Sequence, residues 1–386
     1  MALGGLAGLV PQPVRADDFT PVVGSVLSGS PIPVQGSDGG THLVYELVLT
    51  NAKAVPATLE KIEVLAAEGG AAPLVTLQGA KLQAAMHTLG ARPATSTLLA
   101  PNEGALVFLQ LRFEKPGDVP ARLVHRLGAR GAASPAAREP SPIQYPLTGV
   151  EIGGRRPPVL RPPLEGAGWV ALNGCCAGGG AHRGAVQTVN GELVDSQRFA
   201  IDWMRLDDQG RLVDGDAAKP DGFVGYGATV HAAGDGTVVE TGDGLPDQVP
   251  GKLPDPSTIT IANVDGNHVV IDHGDGVFTF YAHLQSGSLK VAKGDRVRAG
   301  QQLGLLGNSG NTSAPHLHFH AMAGPSPLGS NGIPFEHDHF TLTGQLVDED
   351  LDRLIAGGAV KLKKTDERIE KALPLDLNVV DFGAPR

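Results

Sequence analysis

Two histidines separated by one residue are the side chains best suited to chemistry in this 386-residue sequence. His316 and His318 lie in Pro315-His-Leu-His-Phe-His320, which alternates polar and apolar residues as a β-strand does. Side chains two residues apart on a strand point to the same face, so the two imidazoles should project together. Such a pair can begin a metal site, although by itself it fits a polar strand face more readily.

Other residues of the sequence could complete a metal site around this pair. His283 ends a second alternating stretch, and His182 follows a glycine-rich loop. Asp202 follows the apolar residues Phe199-Ala-Ile and precedes Trp203. A carboxylate in this setting is paired or bound to a cation, because an unpaired buried charge is very costly. Three His and Asp ligands plus one water form the open arrangement that a catalytic zinc requires.

Taken together, these residues resemble the ordered signature of the lysostaphin and LytM-type zinc metallopeptidases, which cleave peptide bonds in peptidoglycan. The resemblance covers roughly residues 164–343. Its main elements are His182, Asp202 in Arg198-Phe-Ala-Ile-Asp-Trp203, His283 in Tyr-Ala-His-Leu284, and His316-Leu-His318. Its supporting segments include Val230-His-Ala-Ala-Gly-Asp-Gly, Gly266-Asn-His-Val-Val-Ile-Asp-His-Gly274 and Leu306-Gly-Asn-Ser-Gly-Asn-Thr312.

The resemblance implies a role for each site residue. His182, Asp202 and His318 would bind one Zn²⁺ per chain. His283 and His316 would activate the metal-bound water and stabilise the oxyanion that develops on the scissile carbonyl. The implied activity is that of a zinc metalloendopeptidase, a hydrolase that cuts peptide bonds with a metal-activated water, with peptidoglycan crosslinks as the leading substrate.

Two features depart from the shorter members of that family or lie outside its signature. Nineteen residues separate His182 from Asp202, and a hairpin around Asn190-Gly191 is expected to carry the chain out and back. The long spacing leaves Asp195 as a less favoured rival ligand. His320 shares the face of the histidine pair and is interpreted as polar filler rather than as support for a ligand.

The elements that must position these side chains are predicted to be strands. The 53 glycines and 30 prolines make up over a fifth of the chain and disfavour long helices. The expected fold is all-β, with an N-terminal immunoglobulin-like β-sandwich followed by an antiparallel β-sheet metallopeptidase domain. The predicted segments are a sandwich at residues 17–127, a Pro/Gly/Ala-rich linker at 128–163, the LytM-like domain at 164–343 and a charged, partly helical tail at 344–386.

Charge and composition exclude several classes of partner. The formal net charge of −10 opposes binding to nucleic acid and to anionic membrane surfaces. No apolar run is long enough for a membrane span. Residues 1–16 resemble the end of a signal peptide, which predicts an exported protein in the periplasm or outside the cell. The adjacent Cys175 and Cys176 provide no disulfide framework, and their redox state is left open.

Two other functions compete with the hydrolase. One is a non-catalytic LytM-like envelope regulator that keeps the fold without the metal. The other is a binding module whose N-terminal sandwich recruits an envelope protein partner. The presence of all five site residues argues against a degenerate enzyme, so peptidoglycan peptides are the expected partner.

Overall fold

The computed structural model describes residues 17–27, 29–68, 72–90, 92–362 and 365–384. The predicted signal segment at residues 1–16 lies outside these ranges. The described chain is nearly all β, as the composition predicts, with two short α-helices, α1 (Ala80–Ala84) and α2 (Asp348–Ile355). Short 3-10 helices occur at Pro116–Asp118, Pro220–Gly222 and Pro256–Thr258. None of the described helices has the length and apolar character needed to cross a membrane.

The first ten strands form two five-stranded antiparallel sheets that enclose a common core. The strands are β1 (Val22–Val26), β2 (Val34–Gln35), β3 (Thr41–Asn51), β4 (Ala57–Ala66), β5 (Val75–Gln78), β6 (Met86–Thr88), β7 (Leu98–Leu99), β8 (Gly104–Phe113), β9 (Arg122–Gly131) and β10 (Ser141–Glu151). One sheet has the order β1-β3-β8-β6 with β2 beside β3, and the other has the order β10-β9-β4-β5 with β7 beside β4. Leu43 and Tyr45 of β3 pack with Leu59 and Ile62 of β4, so the sheets face each other as in a β-sandwich.

The predicted linker at residues 128–163 needs correcting, because its first half belongs to this sandwich. Strand β9 continues to Gly131, and β10 pairs with it over Ser141–Glu151. The prolines of β10 suggested an irregular connector, but β10 is an edge strand, where a proline removes no ladder hydrogen bond from a second neighbour. Tyr145 of β10 is buried, and its hydroxyl donates to the carbonyl of Val22 at 2.8 Å.

The remaining sixteen strands build the second domain. They are β11 (Val159–Leu160), β12 (Trp169–Leu172), β13 (Gln187–Val189), β14 (Glu192–Val194), β15 (Ile201–Arg205), β16 (Thr229–His231), β17 (Gly236–Gly242), β18 (Asn267–Asp272), β19 (Phe278–Leu284), β20 (Arg296–Val297), β21 (Gln302–Leu305), β22 (Leu317–Met322), β23 (Gly332–Ile333), β24 (Glu336–Gln345), β25 (Glu367–Ala372) and β26 (Asn378–Asp381). Twelve of them form one sheet with the order β11-β24-β26-β12-β15-β22-β19-β18-β17-β20, in which β23 pairs with β22 and β25 with β24. Separate pairs form between β13 and β14 and between β16 and β21.

The predicted charged tail at residues 344–386 also needs correcting. Its helix is present as α2, but the chain then returns to the large sheet as β25 and β26. Strand β26 lies between β24 and β12, and Val380 is fully buried. The last strand is therefore an internal part of the sheet that carries the site.

Candidate metal centre

Three neighbouring strands bring the site residues together. Strand β22 lies between β15 and β19, and its register sets His318 opposite Asp202 on one side and opposite Ala282 on the other. Leu317 and Phe319 point into the core on the opposite face. The alternation predicted for this segment thus leaves the histidines on the face that lines a cleft of about 700 Å³.

His182, Asp202 and His318 form a compact cluster, with ligand atoms all within 4.8 Å of one another. Nε2 of His182 lies 3.1 Å from Oδ2 of Asp202, and Nδ1 of His318 lies 2.9 Å from Oδ1. In a tetrahedral zinc site with bonds near 2.1 Å, neighbouring ligand atoms are about 3.4 Å apart. The donor types and spacings therefore fit Zn²⁺. Among the described residues, no second group of three or more His, Cys, Asp or Glu offers such a cluster.

His182 comes from the segment between β12 and β15, and two carbonyls fix its ring. Its Nδ1 lies 3.0 Å from the carbonyl oxygens of both Asn173 and Ala200. A proton on Nδ1 can be donated there, which leaves the Nε2 lone pair directed at Asp202. The side-chain amide of Asn173 donates to Oδ2 of Asp202 at 2.8 Å. Asn173 was not predicted as a site residue, and only its place directly after β12 could have indicated it.

His283 reaches the cleft through an unusual backbone conformation. Strict alternation along β19 would direct it to the same face as Tyr281, which is in the hydrophobic core. Instead His283 has φ +62°, and a register shift interrupts the pairing of β18 with β19 between Asn267 and Val269. A bulge of this kind re-aims side chains. Nδ1 of His283 then lies 2.7 Å from the carbonyl of Ser309.

His316, which directly precedes β22, completes the group. Its ring centroid is 4.7 Å from that of His283, and its Nε2 is 3.3 Å from Oδ1 of Asp202. Nδ1 of His316 lies 2.8 Å from the carbonyl of Ala314. The structure therefore brings all five residues singled out in the sequence into one cleft.

The electrostatic environment of the cleft shifts the pKa values of the site residues in different directions. Burial alone would raise the pKa of Asp202, but His182 and His316 hold this pKa well below its ordinary value. Burial, reinforced by His316 and His318, holds the pKa of His283 well below the ordinary value of histidine. Burial would lower the pKa of His316 as well, but the charge of Asp202 outweighs it and raises this pKa. The arrangement favours an ionised Asp202 beside a neutral His283.

His320 and Asp195, the two other residues weighed near the site, have different surroundings. His320, interpreted as filler, is buried, and its Nδ1 lies 3.0 Å from Nε2 of His318. If Nδ1 of His318 binds a metal, its Nε2 carries the proton and would donate to His320, so this contact favours a supporting role for His320 over polar filler. The rival ligand Asp195 is also buried, but its carboxylate faces Arg198 at 3.3 Å and is not part of the cluster.

One wall of the cleft is formed by residues that lie outside the strands carrying the histidines. Leu351, Leu354 and Ile355 of α2 line the cleft together with Leu253 and Val264. The side of the cleft near α2 is therefore apolar, and the segment interpreted as a tail contributes to it.

A comparison with protein families finds a match inside this domain. Residues 221–330 match the family model described as Peptidase family M23. These residues form an M23 peptidase domain. His283, His316 and His318 lie within the matched segment of the M23 domain, whereas His182 and Asp202 precede it.

Curated relatives of the M23 domain include enzymes of the cell wall. A segment of 65 residues is 42% identical to the peptidoglycan DD-endopeptidase ShyA of Vibrio cholerae, covering 17% of this chain and 15% of ShyA. A longer segment of 216 residues is 25% identical to the cell division protein DipM of Caulobacter vibrioides, covering 55% of this chain and 31% of DipM. The chain thus spans less than a third of the length of either relative.

Among solved structures, the catalytic domain of lysostaphin from Staphylococcus simulans is similar. It is 21% identical, and the match covers 43% of this chain and 88% of that domain with a TM-score of 0.24.

Proposed function

We propose that this protein is a zinc-dependent endopeptidase that hydrolyses peptide bonds in peptidoglycan crosslinks. The observation that carries the proposal is the His182, Asp202 and His318 cluster, which shares one cleft with His283 and His316. The M23 domain supports a hydrolase. Relatives named as peptidoglycan DD-endopeptidases support the substrate class.

The three cluster residues would hold the metal, and the residues behind them would orient it. Bound zinc supplies a Lewis acid that polarises a carbonyl and makes water nucleophilic at neutral pH. Asn173 and Ala200 fix the ring of His182, while His320 fixes the ring of His318. These contacts would hold the ligand side chains in the metal-binding geometry before the metal binds.

His283 and His316 would transfer protons and stabilise the negative charge that develops at the scissile bond. With Nδ1 directed at the carbonyl of Ser309, a neutral His283 presents an unprotonated Nε2 to the cleft and can accept a proton there. Nδ1 of His316 donates to the carbonyl of Ala314, and Asp202 outweighs burial to raise the pKa of His316. In its protonated form His316 therefore carries a second proton on Nε2, which it can donate to the developing oxyanion. The two imidazoles are close enough to act on one peptide group.

The cell envelope is the proposed site of action, because the proposed substrate lies outside the cytoplasmic membrane. The signal-like residues 1–16 support export to the periplasm or the exterior. The alternative is a non-catalytic envelope regulator, and the long match to a protein named for cell division, DipM, is the observation that favours it.

Metal analysis and digestion of purified peptidoglycan test the proposal together. We expect one equivalent of zinc per chain and, after the glycan strands have been cut with a muramidase, a gain of uncrosslinked muropeptides at the expense of crosslinked ones. Asp202→Ala should abolish both, whereas Asp216→Asn, which changes an exposed carboxylate away from the cluster, should leave both intact. A wild-type protein that binds no zinc and leaves the crosslinks intact would favour the regulator. Retention of zinc in both His182→Ala and His318→Ala would refute the ligand assignment.

A further inference from the structure

The segment that carries His182 is packed directly on the N-terminal sandwich. A Cβ atom added to Gly178 would lie 2.5 Å from Cβ of Phe108, and one added to Gly179 would lie 2.7 Å from Nε2 of His87. Both contact residues belong to the sheet that contains β3. The glycine-rich loop before His182 therefore leaves no room for side chains between its backbone and the sandwich.

Glu46 of the sandwich is a charged residue that contacts the second domain across this interface. Tyr45 and Leu47 of β3 point into the sandwich core, so Glu46 points out of the sandwich toward the second domain. A glutamate on an outer sheet face is normally solvated, yet Glu46 has no exposed surface. Its burial is thus a consequence of the second domain covering it.

Both carboxylate oxygens of Glu46 bind arginines that flank the metal ligands. Nε of Arg183 donates to Oε1 at 3.0 Å. Nε and an Nη of Arg198 donate to Oε2 at 2.8 and 2.6 Å. Arg183 follows His182 directly, and Arg198 lies four residues before Asp202. The carboxylate therefore joins the two ends of the excursion that bears both ligands.

The remaining donors of the arginines extend this connection to the backbone. Arg183 donates to the carbonyls of Tyr45 and Leu109 in the sandwich and to that of Cys176 in its own segment, at 2.8–3.1 Å. Arg198 donates to the carbonyl of Gly332 at 3.1 Å. Both guanidinium groups are almost completely buried. Removing the carboxylate would leave the two buried guanidinium groups with only Asp195, 3.3 Å from Nε of Arg198, as a charged partner, so the surrounding segment would have to move.

We propose that Glu46 is a positioning residue of the metal centre, acting through Arg183 and Arg198 to hold His182 and Asp202 at binding distance. The sandwich is then part of the zinc site's support rather than a detachable binding module. The nineteen residues between the two ligands also pack on the sandwich, because Val186 joins Leu106 and Phe108 in one hydrophobic cluster. This inference rests on the proposed zinc function.

The zinc affinity of full-length variants tests the inference by competition with a chromophoric chelator. Glu46→Gln keeps the size of the side chain but removes its charge, and it should weaken zinc binding about 10- to 100-fold, the range typical for groups that support a metal ligand. Glu46→Asp keeps the charge and should lose less affinity. Thermal unfolding of each metal-free variant shows whether the measured protein is folded.

Glu63→Gln is the matched control. Glu63 is another nearly buried carboxylate of the sandwich, paired with Arg126 at 2.7 Å and Lys61 at 3.1 Å, but it lies in the sheet that does not contact the His182 segment. It should lower the unfolding temperature without changing zinc affinity. If Glu46→Gln does not fold, the affinity of Glu46→Asp decides the question.

The outcomes separate this inference from the proposed function. Folded Glu46 variants that bind zinc as tightly as the wild type would overturn the positioning role, and the same holds if Glu63→Gln weakens zinc equally. A wild-type protein that binds no zinc would instead overturn the proposed function.

Discussion

At the scale of single residues, the structure specifies which nitrogen of each histidine is available. Backbone carbonyls at Asn173 and Ala200, at Ser309 and at Ala314 occupy Nδ1 of His182, His283 and His316 respectively. Nε2 is therefore the nitrogen of each ring that is available to bind a metal or to exchange a proton. His318 is the reverse case, because its Nε2 faces His320 and its Nδ1 faces Asp202. The motif identifies the residues, but only their neighbours in space select the atom.

His283→Ala should separate metal binding from hydrolysis. The variant loses the proposed proton acceptor but none of the cluster residues, so zinc content should stay at the wild-type level. We expect kcat to fall about 10²- to 10⁴-fold, the usual contribution of general acid–base catalysis. His339→Ala is a suitable control, because that ring pairs only with Asp338 outside the cleft. Loss of zinc from the His283 variant would contradict the assigned role.

His320 offers a second test at this scale. His320→Leu removes the acceptor for His318, so zinc affinity should fall about 10- to 100-fold. His320→Gln can still accept a hydrogen bond through its amide oxygen, and it should retain more of the affinity. Chelator competition measures both. Equal zinc affinity in the two variants and the wild type would return His320 to the role of filler.

At the scale of elements, the site depends on a turn as much as on strands. Gly266 has φ +66°, and a Cβ added to it would lie 2.3 Å from the carbonyl oxygen of Ser309, which holds His283. Asn267, the next residue, donates through its backbone N–H to the hydroxyl of Ser309 at 2.9 Å. The turn before β18 therefore fixes the position of a carbonyl that orients a proposed catalytic ring.

Gly266→Ala and Gly274→Ala form a matched pair for this turn. Both glycines have a positive φ, but nothing lies within 4 Å of the added Cβ at Gly274. Each alanine should cost about 1–2 kcal/mol for the left-handed backbone. Gly266→Ala should cost about 1–3 kcal/mol more because of the overlap with Ser309, and only this variant should lose hydrolytic activity. Urea unfolding and peptidoglycan digestion measure the two effects, and equal behaviour of the pair would contradict the explanation.

At the scale of the whole molecule, segments distant in sequence complete the large sheet. Strand β26 enters between β24 and β12, and α2 forms a wall of the cleft. The sandwich contributes Val34 and Val44 to the core of the second domain. The two domains and the C-terminal segment therefore depend on one another for burial.

Val380→Asp tests whether the C-terminal segment is structural. Val380 has no exposed surface, and an unpaired carboxylate there costs several kcal/mol, a large part of the stability of a typical domain. The variant should be insoluble or unfolded near room temperature. Val347→Asp places the same charge at the exposed N-cap of α2, where it should be neutral or stabilising. A Val380→Asp protein that folds and unfolds at the wild-type temperature would instead support the predicted tail outside the sheet.

How far the sequence could predict the fold depended on the range of the interactions. Alternation correctly indicated β3, β8 and β22, because one face of each strand carries mainly apolar side chains in the sequence. It missed β10, whose prolines hide an edge strand. It also missed β25, whose charged residues such as Glu367 and Lys371 are not typical of a strand, and β26, which is only four residues long. Both strands gain stability from their neighbours in the sheet.

The sequence by itself determined the all-β class and, through the order of its motifs, indicated the five candidate site residues, since residue type, order and strand periodicity are local properties. Only the tertiary structure decided that His283 leaves its expected face and that His320 contacts a ligand ring. The same holds for the burial of Glu46 against Arg183 and Arg198. Each of these depends on a bulge, a register or a contact between distant segments, and no local pattern of residues encodes such distances.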